Sequence, residues 1–188
     1  DKLRHIRKRN VTLDADLMSR VGSIVDDVRL RGDAALIDYA KQFDGCAMQP
    51  SELRISEEEL RRLASSVDAN ILEALREAIR NVRHFHEHEK QESWEIETAH
   101  GVRLGQRITP LERVGLYVPG GTASYPSSVV MNVVPARVAG VQRIVVATPP
   151  RSLRENPAVA AALLQVGVTE VYAVGGAQAI AALAYGTE

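Results

Sequence analysis

Apolar residues recur along this chain with two different periods, and the switch between them divides it. From Asp14 onward, Leu17, Val21, Ile24, Val25 and Val28 fall three or four residues apart, which predicts an amphipathic helix. Gly32 ends that helix, and Asp33 is placed to cap a second one running to Phe43, before an Asp-Gly turn. The stretch "ISEEEL" predicts another start. Ser56 and Glu59 form a capping box, with Ile55 and Leu60 at the two hydrophobic-staple positions. A further helix begins near Asp68, with Ile71, Leu75, Ile79, Val82 and Phe85 as its buried stripe.

The period then drops to two. "WEIET" alternates, "AHG" can turn, and "VRLGQRI" alternates again, which predicts a β-hairpin. Beyond it stand three short, β-rich apolar runs: "VGLYV" (114–118), "RIVVAT" (143–148) and "EVYAV" (170–174). Helical stretches separate them at about 127–140 and 157–166, and a third helix begins near Ala177. Strands buried on both faces with helices between them mean parallel β-α units with right-handed crossovers. Pro135 inside the first of these helices removes a backbone donor, so a kink is expected there. The expected fold is α/β. Residues 1–113 form a helical region with a β-hairpin, part of a first domain. Residues 114–188 form a parallel βαβαβα unit, cut off at its C-terminal end.

With 188 residues, 45% of them hydrophobic and 25% charged, the chain can bury a packed core. A formal net charge of −1 gives no electrostatic case for nucleic-acid binding. The basic run "KLRHIRKR" is short and near the chain's start, and reads as a solvated end. Cys46, the sole cysteine, excludes an internal disulfide and follows an Asp-Gly turn that offers it no activating partner. No apolar run reaches the roughly 18–20 residues of a membrane span, so the cytoplasm is the expected compartment. Both ends look cut. Position 1 is not Met, and the last residues follow a helix where a βα pattern would go on to another strand.

Candidate chemistry is sparse. His84, His86 and His88 look like a metal tract, but on a helix successive residues turn by about 100°, so the three cannot meet at one ion. His84 and His88 can form an i, i+4 pair, with no nearby ligand in sequence to complete it. Two glycine pairs are more informative. Gly120 and Gly121 follow the first parallel strand, and Gly175 and Gly176 follow the third and open a helix. Glycine admits close backbone approach, and a helix N-terminus presents free N–H groups to an anion. Ligands of open α/β sheets bind beyond the carboxyl ends of the strands. Tyr117 and Gln178 should both face that edge. Tyr117 can stack on a ring or donate a hydrogen bond, and Gln178 can donate and accept. The same glycines also suit plain strand-to-helix turns, with Tyr117 packed in the core. The G-x-G-x-x-G fingerprint is absent, and no acidic residue ends the second strand to hold a ribose; Thr148 stands there, followed by two prolines. There is no G-x-x-x-x-G-K-[ST] loop, and Ser127 and Ser128 have no convincing base beside them.

The segments "GLYVPGGTASYPSSVVMNVVPARVAGV" and "VYAVGGAQAIAALAYGTE" closely resemble the histidinol dehydrogenase family. "VRLRGDAALIDYAKQFDG" and "RHFHEHE" resemble that family's N-terminal region, so the resemblance spans essentially the whole chain. It implies zinc-dependent, NAD-linked oxidation of L-histidinol through L-histidinal to L-histidine in histidine biosynthesis. It also implies homodimers, and an incomplete Rossmann-like fold that binds NAD without the glycine fingerprint. Tyr117 and Gln178 match the family's NAD-binding tyrosine and glutamine. The family's third NAD contact, an asparagine, its zinc ligands and its catalytic Glu-His pair are expected beyond residue 188. No catalytic residue and no metal ligand is therefore assigned within this chain, and it is expected to be inactive alone. The alternative is a non-catalytic nucleotide-binding or interaction module that kept the fold.

Overall fold

The computed structural model describes residues 14–120 and 125–187. The basic run at 2–9 and Gly121 lie outside them. The two chain periods become a mixed four-stranded sheet with helices on both faces, plus a separate hairpin.

The leading helices are α1 (Ala15–Arg31) and α2 (Asp33–Asp44). Asp14 caps α1 by accepting from the N–H of Asp16 at 3.0 Å. At the next boundary the reading shifts by one residue. Gly32 serves as both C-cap and N-cap, and Asp33 is already in the first turn of α2, where its charge favours the helix dipole. A four-residue turn, α3 (Pro50–Leu53), leads into a two-residue strand, β1 (Arg54–Ile55), then α4 (Glu57–Ala64). Ser56 caps α4 as its sequence suggests, accepting from the N–H of Glu59 at 3.1 Å. The Glu59 carboxylate is turned instead to Arg62, at 2.7 Å.

Helix α5 (Ala69–Glu87) carries Asp68 as its cap. Leu75 and Ile79 are buried, with Leu72 and Val82 packed beside them. Ile71 and Phe85 are not in that stripe. Phe85 is 61% exposed, because the buried arc follows Leu72, Leu75, Ile79 and Val82 and leaves both ends of the expected stripe outside it. The hairpin forms as expected from β2 (Trp94–Glu97) and β3 (Arg103–Gln106), with Ile96 opposite Leu104.

Strands β4 (Arg113–Tyr117), β5 (Arg143–Thr148) and β6 (Val171–Ala173) are parallel, in the order β1-β6-β5-β4, and β1 joins β6 antiparallel. Between them run α6 (Pro126–Val138), a short α7 (Pro150–Glu155) that the sequence reading did not anticipate, and α8 (Pro157–Gln165). α9 (Gly176–Tyr185) follows β6. Pro135 stays inside α6. It has no N–H to donate to the carbonyl of Met131, four residues earlier.

Alternation along the strands sends side chains into two cores. On one face Ile144, Val146 and Val171 meet the valines of α6, the small residues of α8, and Leu60, Leu75 and Ile79 from the leading half. On the other face Ala147 and Ala173 meet Ala179 and Ala181 of α9 and Val28, Ala35, Leu36 and Ala40 of α1 and α2. The small residues matter, since they let α9 lie close to α1 and α2, and the end of α2 reaches the turn after β6, where Asp44 approaches Gly175.

Candidate functional site

The site is built from three turns that leave the carboxyl ends of β4, β5 and β6. The backbone ladder continues one residue past β4, where Val118 donates to the carbonyl of Ala147 at 2.9 Å. That fixes the turn after β4 beside the turn after β5. The ring of Pro149 then stands between glycines from both neighbours. A β-carbon placed on Gly120 would lie 3.2 Å from Pro149 Cγ and only 1.9 Å from Ser152 Oγ. One placed on Gly175 would lie 2.9 Å from Pro149 Cγ. Any larger residue at either glycine would push these turns apart.

The structure brings the two candidate residues to this corner. The hydroxyl of Tyr117 accepts a hydrogen bond from the N–H of Gly176 at 3.1 Å, which leaves its own proton free to donate elsewhere. Gln178 sits in the first turn of α9, 1% exposed. Gly176 adopts φ +66°, and a β-carbon there would be 2.5 Å from Gln178 Oε1. Tyr117 and Gln178 thus approach the same glycine from different elements. The cap position of α9 is Gly175, which has no side chain to cap the helix, and Tyr117 takes the first N–H instead.

Among the described residues, three buried side-chain oxygens near the strand ends have no hydrogen-bond partner: Thr148 Oγ1, Gln178 Oε1 and Asp44 Oδ2. Buried polar atoms are normally paired, and an unpaired one costs about 1–3 kcal/mol. Gln178 and Asp44 lie at the carboxyl edge of the sheet on the face covered by α2 and α9. Asp44 reaches it from the end of α2, its Oδ2 lying 3.5 Å from the β-carbon position of Gly175. Burial pushes the Asp44 carboxyl above its ordinary value, and the charge of Arg151 pulls it partly back. The sequence reading passed over Asp44 because "FDG" describes a turn; only the packing of α2 under α9 sets it beside Gly175.

The histidines do not gather. The rings of His84 and His88 meet edge to face at 4.7 Å, and His88 Nδ1 lies 2.8 Å from the carbonyl of His84. His86 turns to Glu89. Among the described residues no group of three or more His, Cys, Asp or Glu is placed to hold a metal ion. A hollow of about 560 Å³ has Ala147, Val174 and Ala179 in its lining. It runs beneath α9 toward the amino ends of the strands, where Arg54, Arg113 and the Arg143–Glu170 pair line it.

Parallel strands joined by helices on both faces of the sheet make a Rossmann-like α/β unit. The profile described as Histidinol dehydrogenase matches residues 7–188. A histidinol dehydrogenase from Geobacillus kaustophilus is 55% identical over 166 residues, covering 88% of this chain and 39% of that protein. One from Carboxydothermus hydrogenoformans is 49% identical over 180 residues, covering 96% and 42%. The crystal structure of histidinol dehydrogenase from Elizabethkingia anophelis superposes with a TM-score of 0.86 at 35% identity, covering 96% of this chain and 41% of that one. This chain belongs to the histidinol dehydrogenase family. It spans about two fifths of the length of the relatives it matches and corresponds to their N-terminal part.

Proposed function

We propose that this chain supplies part of the NAD site of an enzyme that oxidises L-histidinol through L-histidinal to L-histidine, with zinc and two NAD used in succession. The observation that carries the reading is the corner itself. Tyr117 and Gln178 converge on Gly176, and unpaired oxygens of Gln178 and Thr148 lie beside turns that no larger residue could make. NAD supplies the hydride acceptor. The chain's own residues bind and orient it: the Tyr117 hydroxyl and Gln178 amide offer polar contacts, and the N–H groups of the first turn of α9 beyond Gly176 suit a phosphate. Zinc, the catalytic pair and most substrate contacts belong on polypeptide outside these residues. Hydride transfer needs the substrate carbon held against the nicotinamide, and this chain alone does not hold it there. A homodimer is part of the same proposal. The exposed apolar strip of Trp94, Ile96, Val102 and Leu104 on one face of the hairpin supports burial in an assembly. The compartment is the cytoplasm. Among the described residues no helix is long and apolar enough to cross a membrane.

Calorimetric titration of this chain with NAD tests the reading. Binding that is weakened by Tyr117→Ala and by Gln178→Ala supports it. Binding unaffected by both substitutions, or no binding to the unsubstituted chain, overturns it. With zinc, histidinol and NAD added, the chain should form no NADH; steady NADH formation would overturn the assignment of catalysis to residues elsewhere.

A further inference from the structure

We infer that His84 and His88, at the exposed end of α5, chelate one divalent transition-metal ion through their Nε2 atoms. The inference stands apart from the NAD reading. Residues four apart on a helix share a face, and two histidines at that spacing are a recurring way of holding zinc. α5 runs to Glu87, and His88 keeps right-handed helical angles at φ −79° and ψ −15°, so the spacing holds to the end. Both side chains belong to exposed residues, so an ion can reach them from solvent. His86 lies outside the pair and turns to Glu89.

The way the helix ends prepares one of the rings. The N–H of His88 goes to the carbonyl of Phe85 at 3.1 Å, three residues back, in a tightened last turn. The carbonyl of His84 meets the imidazole of His88 instead, whose Nδ1 lies 2.8 Å away. A carbonyl oxygen only accepts, so that Nδ1 carries a proton. In the neutral ring the lone pair then sits on Nε2. Metal-binding histidines are held in this way: the other ring N–H donates to a carbonyl or carboxylate and fixes tautomer and orientation.

His84 supplies the second nitrogen. The two ring centres are 4.7 Å apart. Imidazoles bound at about 2.0–2.1 Å and meeting at roughly a right angle on one ion have centres about 4.5 Å apart, so the spacing already suits a shared ion. Exposed side chains turn readily enough to complete the alignment. Asn81 and Glu89 line the same hollow as the pair and put oxygen donors on its wall. The C-terminal end of a helix is the negative end of its dipole, which favours a cation there. Imidazole donors select copper, nickel and zinc over magnesium and calcium, with copper(II) bound most tightly. A closed structural site takes four protein ligands; two leave the ion open to water and to exchange.

The test titrates the full chain with copper(II), followed by calorimetry and, at one equivalent, by electron paramagnetic resonance. The tightest site should take one ion per chain and show coupling to two imidazole nitrogens. His84→Ala and His88→Ala should each weaken that site by about tenfold or more and leave coupling to a single nitrogen. His86→Ala should change neither affinity nor spectrum. The ion should also raise the thermal unfolding temperature of the unsubstituted chain and of His86→Ala, but not of the other two variants, because it binds the folded helix. Without metal all four proteins should unfold alike, since the substituted rings at 84 and 88 are exposed. Copper affinity that is the same in His84→Ala, His88→Ala and the unsubstituted chain overturns the pair as the site. So does a loss in His86→Ala as large as in either of them, or a spectrum with a single coupled nitrogen in the unsubstituted chain.

Discussion

The hydroxyl of Tyr117 accepts from the N–H of Gly176 at 3.1 Å, tying the end of the first parallel strand to the turn after the third across the strand between them. That single bond satisfies one of the free N–H groups at the start of α9 and sets the aromatic ring beside it. Tyr117→Phe keeps the ring and removes the acceptor. It should lower unfolding free energy by about 0.5–1.5 kcal/mol, measured by urea denaturation. NAD affinity should fall as well, because the turn that presents Gln178 loses its anchor. An unchanged stability would show that water replaces the phenol at no cost.

Much of this architecture was legible from the order of residues, and the misses share a cause. Caps and periodicity located α1, α2, α4 and α5, and short β-branched runs located the three parallel strands. These signals are local, each carried within a few residues. β1 was missed because Arg54–Ile55 is a strand only by virtue of pairing with β6, more than a hundred residues later. Phe85 was assigned to the core because helical spacing reports a stripe without saying where its partner helices end. Tyr117 and Gln178 could be placed on one edge by topology, but their meeting at Gly176 depends on how α9 sits. Asp44 was beyond reach for the same reason: nothing in "QFDGC" shows which distant turn packs against it.

Gly120 is held by space rather than by turn geometry. A β-carbon there would lie 1.9 Å from Ser152 Oγ, too close for either atom to keep its place. Gly120→Ala should destabilise by about 1–3 kcal/mol through overpacking. Adding Ser152→Ala removes the nearest obstacle and leaves the serine β-carbon, at 3.0 Å, as the next contact. A double-mutant cycle by urea denaturation should show favourable coupling between the two substitutions. Simple additivity would mean that the turn yields in some other direction.

Leu60 belongs to the leading helical region by sequence but is fully buried in the cluster that holds Leu163 and Val146. Truncation to alanine should cost about 2–5 kcal/mol, since a cavity would open where α4 packs on α8. Because the cluster draws on both halves, the loss should lower one cooperative transition. Two separated transitions in calorimetry, with only the earlier one shifted by Leu60→Ala, would show that residues 1–113 fold apart from the sheet.

Arg143 and Glu170 clamp the amino ends of β5 and β6 with paired contacts at 2.6 and 3.0 Å. The Arg143 guanidinium holds the Glu170 carboxyl below its ordinary value of 4.5, chiefly by hydrogen bonding. A carboxyl depressed in the folded state binds its proton more readily when unfolded. Its contribution is therefore fully present above 4.5 and lost as pH falls through the depressed folded value. Glu170→Gln should accordingly be less stable than the unsubstituted chain at neutral pH, and the difference should close as the solution becomes acid. Added salt should narrow the neutral-pH gap only partly, because Glu170 is largely covered while Arg143 remains open to solvent. Urea unfolding at a series of pH values measures this directly. A gap that stayed constant into the acid range would mean that the two strands are aligned by packing alone and that the ion pair merely decorates their ends.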